Sequence, residues 1–224
     1  MAKEKMNVAE EVVVEQSFFA KNWKKLSIGL GVVAVAALGY VVYKKLIAEP
    51  KQMNASIALS GSEQYMLQGQ YDKALAGDGQ GSIGLEATIN QFGGTDAGNL
   101  AQLYAGIAYY NEGKYEQAVK ALESFSDCGD NIISPAAIAA LGNCYACLKQ
   151  NDKAVAKLEE AAKKADNASL SPIYLIQAGE IYEFGLNNKE KALECYKKVA
   201  DNYKTSMQVQ SGEVDKYIEC ASAK

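Results

Sequence analysis

Two side-chain types are missing from the 224 residues: there is no histidine, and all 23 basic residues are lysine, so there is no arginine either. Without histidine the chain lacks the commonest general base, the commonest neutral metal ligand and the usual partner of a Ser or Cys nucleophile. That argues against an enzyme, and no catalytic residue, metal ligand or cofactor is expected. Without arginine it lacks the planar donor fork that grips phosphates and base edges, and a net charge of −4 has the wrong sign for a polyanion. Nucleic acid is therefore not expected as a partner, nor is a small-molecule substrate. Beyond residue 50 the imbalance grows to 22 acidic residues against 16 lysines.

Cysteine is absent before residue 128, which excludes an acylated cysteine near the N-terminus. The five present, Cys128, Cys144, Cys147, Cys195 and Cys220, are odd in number and follow no disulfide framework. Cys144-x-x-Cys147 lies inside a helical pattern with no second pair, so it reads as small apolar side chains rather than a zinc or redox half-site.

What the sequence does contain falls into two parts. From Leu26 to Tyr43 no residue is charged, and as a helix these residues span about 27 Å, enough to cross a bilayer. Trp23 stands at one edge and Tyr40 and Tyr43 at the other, while Lys24, Lys25, Lys44 and Lys45 can reach outward to headgroups. Ala34-Val-Ala36 resembles a signal cleavage site, but the residues after it stay apolar or aromatic, so an uncleaved anchor is expected. Lysines flank both ends, and the positive-inside rule gives no orientation. Ahead of the span, Phe18, Phe19 and Trp23 form a small amphipathic patch suited to a membrane interface.

The second part is periodic. Gly106, Gly142 and Gly179 recur at intervals of 36 and 37, each followed three residues later by a tyrosine: Tyr109, Tyr145 and Tyr182. Then come Ala118, Ala154 and Ala192, and four residues on Leu122, Leu158 and Tyr196. Each unit reads as two amphipathic helices joined by a polar turn, at Asn111–Lys114 or Lys149–Asp152. The small columns let helices approach and the large ones fill the seams. Ser134-Pro135 and Ser171-Pro172 read as N-caps followed by proline at the first helical position. An earlier, degenerate unit contains Tyr65 and Gly69-Gln-Tyr71; glycines between Gly77 and Gly81 interrupt its second helix, which is expected to resume over Leu85–Phe92.

The Gly-x-x-Tyr and Ala-x-x-x-Leu/Tyr pattern resembles the tetratricopeptide repeat. The fold expected is all-α: one N-terminal transmembrane helix, then a tetratricopeptide-type α-solenoid of three clear repeats plus one degenerate repeat. The expected division is a tail over 1–25, the span over 26–43, a linker over 44–52, the repeat domain over 53–206 and a C-terminal helix over 207–224. The resemblance implies a concave protein-binding face on the first helices. Carried over by the glycine alignment, it comprises Leu59, Glu63, Met66 and Leu67, then Leu100, Leu103, Ile107, Tyr110 and Asn111. The later units add Ala139, Asn143, Ala146 and Cys147, then Ile173, Ile176, Glu180, Glu183 and Phe184. No lysine is among them, so a groove for a hydrophobic partner segment is expected, filled in trans or by the chain's own C-terminal helix around Glu213–Ala221.

Phe18-Phe19-Ala-x-Asn22-x-Lys24-x-Leu26 leading into a Gly- and Val-rich span, with such repeats behind it, resembles the bacterial YfgM-like family, ancillary subunits of the Sec translocon. That resemblance implies an inner-membrane protein with a cytoplasmic N-terminus and periplasmic repeats, whose tail at Phe18, Phe19 and Trp23 contacts its neighbours in the membrane. Its partners would be translocon subunits, periplasmic chaperones or unfolded clients. A scaffold for envelope assembly or cell division, binding a fixed folded partner, is the alternative.

Overall fold

In the computed structural model, the backbone is described for residues 2–223 and the side chains for residues 21–223. Two compact units emerge, Met1–Lys51 and Gln52–Lys224.

In the first unit, α1 (Ala2–Tyr43) leads into a π-helical turn, Lys44–Ala48. The uncharged stretch keeps its side chains outward, with Leu30 74% and Val35 70% exposed. Among the described residues, one helical stretch, Lys21–Leu67, is long and apolar enough to cross a membrane. Trp23 and Tyr40 are exposed at either edge of the uncharged run. The side chains of Phe18 and Phe19 lie outside the described residues. Residues 44–52, read from sequence as a linker, are helical.

The second unit is helical, with no strand among the described residues. After α2 (Glu49–Leu67) come α3 (Tyr71–Ala76) and α4 (Leu85–Phe92). Three antiparallel pairs follow: α5 (Asp96–Asn111) with α6 (Tyr115–Glu123), α7 (Ile133–Cys147) with α8 (Asn151–Ala165), and α9 (Ser171–Glu180), extended by a π turn Ile181–Gly185, with α10 (Lys189–Asn202). A short α11 (Met207–Gln210) and α12 (Glu213–Ser222) complete it.

The glycine column is a packing requirement. A Cβ on Gly106 would lie 2.4 Å from Leu122 Cγ, one on Gly142 3.0 Å from Leu158 Cγ, and one on Gly179 2.3 Å from Tyr196 Cε1. The large residue of each second helix thus occupies the space the glycine vacates. Leu158 and Tyr196 are fully buried there. Burying a side chain of this size stabilises by about 1.5–3 kcal/mol.

The tyrosine column does more than fill a seam. Tyr109 donates its hydroxyl proton to Glu86, and Tyr145 to Glu123 Oε1 at 2.7 Å; Tyr182 is hydrogen-bonded to Glu159. Each acceptor belongs to the second helix of the preceding pair. A lysine lies over each ring at 5–6 Å: Lys114 on Tyr109, Lys153 on Tyr145 and Lys191 on Tyr182. Tyr65 also has a lysine over its ring, Lys73, but its acceptor, Asp78, lies in the loop of its own pair. The hydrogen bond to Glu123, followed by burial, pushes the Tyr145 phenol up to about 12. A polar ladder therefore ties each pair to its predecessor, alongside an apolar seam.

The caps differ from the sequence expectation. Ser134 and Ser171 sit inside the first turns of α7 and α9, buried, and fasten the loops ahead of them. Ser134 Oγ accepts from Cys128 N–H and donates to Asp130 Oδ2; Ser171 Oγ accepts from Asn167 N–H and donates to the Ala162 carbonyl. The free helix-start amides are taken by Asp130, from Ile132 and Ile133, and by Asn167, from Ser169 and Leu170. A buried hydroxyl with a nearby acceptor is satisfied more fully there than at a solvent-facing cap.

The degenerate pair closes differently. Gly77 and Gly84 have φ of +87° and +82°, and a Cβ on Gly84 would sit 2.4 Å from Gly77 N. The ends of the 77–84 loop therefore touch. Its interior is organised by Asp78, whose Oδ1 accepts from the amides of Gln80, Gly81 and Ser82 at 2.8–2.9 Å and whose Oδ2 accepts from Tyr65 OH. The Gln80 amide, then the Tyr65 hydroxyl, hold this carboxyl down at about 2. Helix resumes over Leu85–Phe92.

Candidate partner groove

Helices α7 and α9 leave a cleft of about 500 Å³ between them. From α7 it takes Asn143, Ala146 and Cys147; from α9 and its π turn it takes Gln177, Glu180, Ile181, Phe184 and Gly185. Tyr110 of α5 closes one side, and Lys149, from the turn after α7, and Asn151, the first residue of α8, close the end. The volume falls within the range of small ligand or peptide pockets.

Local sequence sets these positions. On α9, residues 177, 180, 181 and 184 recur at three- and four-residue steps and so share a face; residues 143, 146 and 147 do the same on α7. The π turn then widens the helix: Leu186 N–H reaches back five residues to the Ile181 carbonyl at 3.0 Å. Phe184 is left 76% exposed at the mouth of the cleft. Single π turns of this kind concentrate at functional positions. Asn151 Nδ2 donates to the Gly185 carbonyl at 2.9 Å and ties the turn to α8.

Tyr110 packs edge-on against Tyr115, centroids 5.6 Å apart, and its hydroxyl oxygen receives the Cys147 thiol at 3.8 Å. Burial, then this thiol, pushes the Tyr110 phenol up to about 12. Cys144 faces the core, and burial pushes its thiol up to about 12 as well. A thiol so resistant to ionisation is a poor nucleophile and a poor metal ligand, so Cys144 and Cys147 divide into one packing residue and one groove residue.

Of the residues the repeat resemblance implied, the cleft brings together Tyr110, Asn143, Ala146, Cys147, Glu180 and Phe184. Leu59, Leu103, Ala139 and Ile176 are instead core, each 3–6% exposed. Met66, Leu100 and Ile107 are half-buried against that core. Glu63 bonds to Tyr104 and Glu183 accepts from Tyr196 OH at 3.4 Å, while Asn111 donates to its own helix at the Ile107 carbonyl. Leu67 and Ile173 are exposed, and neither lines the cleft. Gln177, Ile181 and Asn151 line it and were not anticipated; the first two were legible from the three- and four-residue steps leading to Phe184.

The C-terminal helix does not occupy the cleft. It packs on α10, where Tyr217 stacks on Tyr196 at 5.0 Å and donates to Glu180 Oε1 at 3.0 Å. None of the residues lining the cleft comes from α12.

No curated protein matches the chain. A family profile described as a tetratricopeptide repeat-like domain matches residues 16–215, taking in the segment ahead of the apolar run as well as the helical pairs. The chain belongs to the tetratricopeptide repeat-like domain family, whose members characteristically serve as protein-interaction modules.

Proposed function

We propose that this protein is a non-enzymatic, membrane-anchored scaffold whose groove between α7 and α9 receives an apolar segment of a partner polypeptide. The observation that carries this reading is the cleft: it is solvent-open, flanked by the exposed rings of Tyr110 and Phe184, and left empty by the chain's own C-terminal helix. Residues 26–43 anchor the protein in the bacterial inner membrane, with the tail cytoplasmic and three helical pairs plus a degenerate fourth in the periplasm. The tail segment around Phe18, Phe19 and Trp23 sets the place of work beside the Sec translocon, where the repeats hold emerging chains or recruit folding factors. The family match beginning at residue 16 supports treating tail, anchor and pairs as one functional unit.

The test combines two measurements. Site-specific crosslinking from Phe18 and Phe19 is expected to give adducts with translocation-channel subunits; adducts confined to another envelope assembly would replace the translocon by that assembly. Capture of partners by the full chain is expected to fall at least fivefold in Tyr110→Lys and Phe184→Glu, with unchanged circular dichroism. Unchanged capture by both variants would remove the groove from the reading. Ile176 is unsuitable for this purpose, because a charge placed at a core position unfolds the pair.

A further inference from the structure

The two ends of the helical stack are finished differently. At the C-terminal end α12 turns Glu213, Asp215, Lys216 and Glu219 to solvent, the polar outer face that a terminal element of a repeat array needs. At the other end α2 does not. It buries Ala55, Leu59 and Ser62, and on the opposite side residues 53, 57, 60, 64 and 67, spaced alternately by four and three, form one stripe. Met53, Ile57 and Leu67 of that stripe are each at least 62% exposed, and Ser60 and Gln64 between them are exposed as well. The stripe is held outward: the Gln52 side chain accepts from Asp96 N–H and donates to Asp96 Oδ2, both at 3.2 Å, and so pins α2 to the start of α5. Between Met53 and Gln68 there is no lysine and one acid, Glu63, which is bonded to Tyr104 of α5. An uncharged apolar stripe fixed outward at the end of a stack marks an interaction surface.

We infer that α2 pairs with α2 of a second copy of this chain along Met53, Ile57, Ser60, Gln64 and Leu67. Alternating steps of four and three residues are the spacing at which two helices interlock side by side. Copies held in one membrane by the same anchor share one orientation, so like helix meets like helix in the same sense and each stripe residue faces its own counterpart. On a charged surface that symmetry is repulsive; the five facing positions here carry no charge. Gln64 suits the symmetry in particular. An amide offers an acceptor and two donors, so two copies of the same side chain satisfy each other, and a polar group within an apolar seam fixes its register. A lipid surface fits less well, since helices lying on anionic headgroups carry lysine or arginine on their polar face, and residues 53–68 have neither. The stripe contributes nothing to the lining of the cleft between α7 and α9. From the proposed function the pairing takes only the anchoring, and it gives one assembly two clefts with which to hold a partner chain.

The test uses purified full-length protein in phosphatidylcholine vesicles, with the exposed Cys128 and Cys220 replaced by serine, oxidised by copper phenanthroline. Ser60→Cys is expected to give about fivefold more disulfide-linked dimer than Asp215→Cys, an exposed position at the polar end of the stack. Adding Ile57→Glu or Gln64→Lys to Ser60→Cys sets like charges against each other and is expected to lower that yield about fivefold, with an unchanged melting curve. Tyr110→Lys is expected to leave the yield as it is, so loss of the groove and loss of the pairing are read separately. Equal yields from Ser60→Cys and Asp215→Cys overturn the inference, as they would if lipid or another protein covered the stripe. So does a Ser60→Cys yield that both charge variants leave intact. Should Ile57→Glu melt early, Gln64→Lys, at an exposed polar position, carries the test alone.

Discussion

The degenerate pair at the start of the second unit and the three regular pairs after it solve one packing problem in different ways. In the regular pairs a glycine on the first helix faces a large residue on an unbroken second helix. In the degenerate pair Ser62 is buried three residues before Tyr65, where the regular pairs have glycine, and the second helix is split into α3 and α4 around a loop folded on one carboxylate. The tyrosine keeps a lysine and a carboxylate in both, although in the degenerate pair the carboxylate is Asp78 of its own loop rather than a glutamate of a preceding helix. The polar ladder is thus the more tolerant part of the design, and the glycine-to-large-residue seam the more exacting.

The largest effect should come from emptying that seam. Tyr196→Ala removes a ring that is fully buried and packed on Tyr217, and a loss of about 3–5 kcal/mol in denaturant unfolding is expected. A loss below 1 kcal/mol would mean that the seam does not hold the pairs together. Filling the space from the other side is expected to cost less: Gly179→Ala sets a methyl against the Tyr196 ring, and the overpacking, about 1–3 kcal/mol, should outweigh the gain in helix propensity. Stabilisation instead would show that Tyr196 has room to move.

The ladder should yield smaller changes. Tyr145→Phe deletes the bond to Glu123 and should cost about 0.5–1.5 kcal/mol, with the ring packing retained. Lys153→Met should cost about 0.5–1 kcal/mol, and a melting series would place it last.

Acid should separate the two regions in another way. Asp78 has its native pKa depressed from 3.8 to about 2, so its contribution is present above about 3.8 and lost as pH falls toward 2. In hydrogen exchange across that window, amides of Gln80, Gly81 and Ser82 should lose protection before those of α8 and α10. Asp78→Asn at neutral pH should reproduce the local opening. Uniform loss along the chain would refute this division.

The regular pairs were legible because three equal intervals leave little freedom: Gly106, Gly142 and Gly179 with their tyrosines fixed helix order, seam and turns. The hydroxyl partners of those tyrosines were not: Glu123 and Glu159 share their helices with Glu116 and Glu160, and only contact singles out which glutamate accepts. The caps were misassigned because Ser-Pro satisfies a cap pattern, and its burial follows from the loop ahead of it. Within the groove, Tyr110, Asn143 and Phe184 followed from the alignment. Ile176 did not, because an aligned position carries no information about which side of a helix faces the core. Gln177 required the three- and four-residue steps through Phe184, and the π turn that exposes that ring leaves no mark in composition.

The touching ends of the 77–84 loop carry one more consequence. Because the chain leaves α3 and re-enters α4 at nearly the same point, what lies between is a side branch rather than a spacer. Its apex, Gly79 to Gly81, is exposed, and residues added there lengthen the branch without moving the helices on either side. This makes it a natural port for grafting a probe or a whole domain, and a place where related chains can differ in length while their helices remain superimposable.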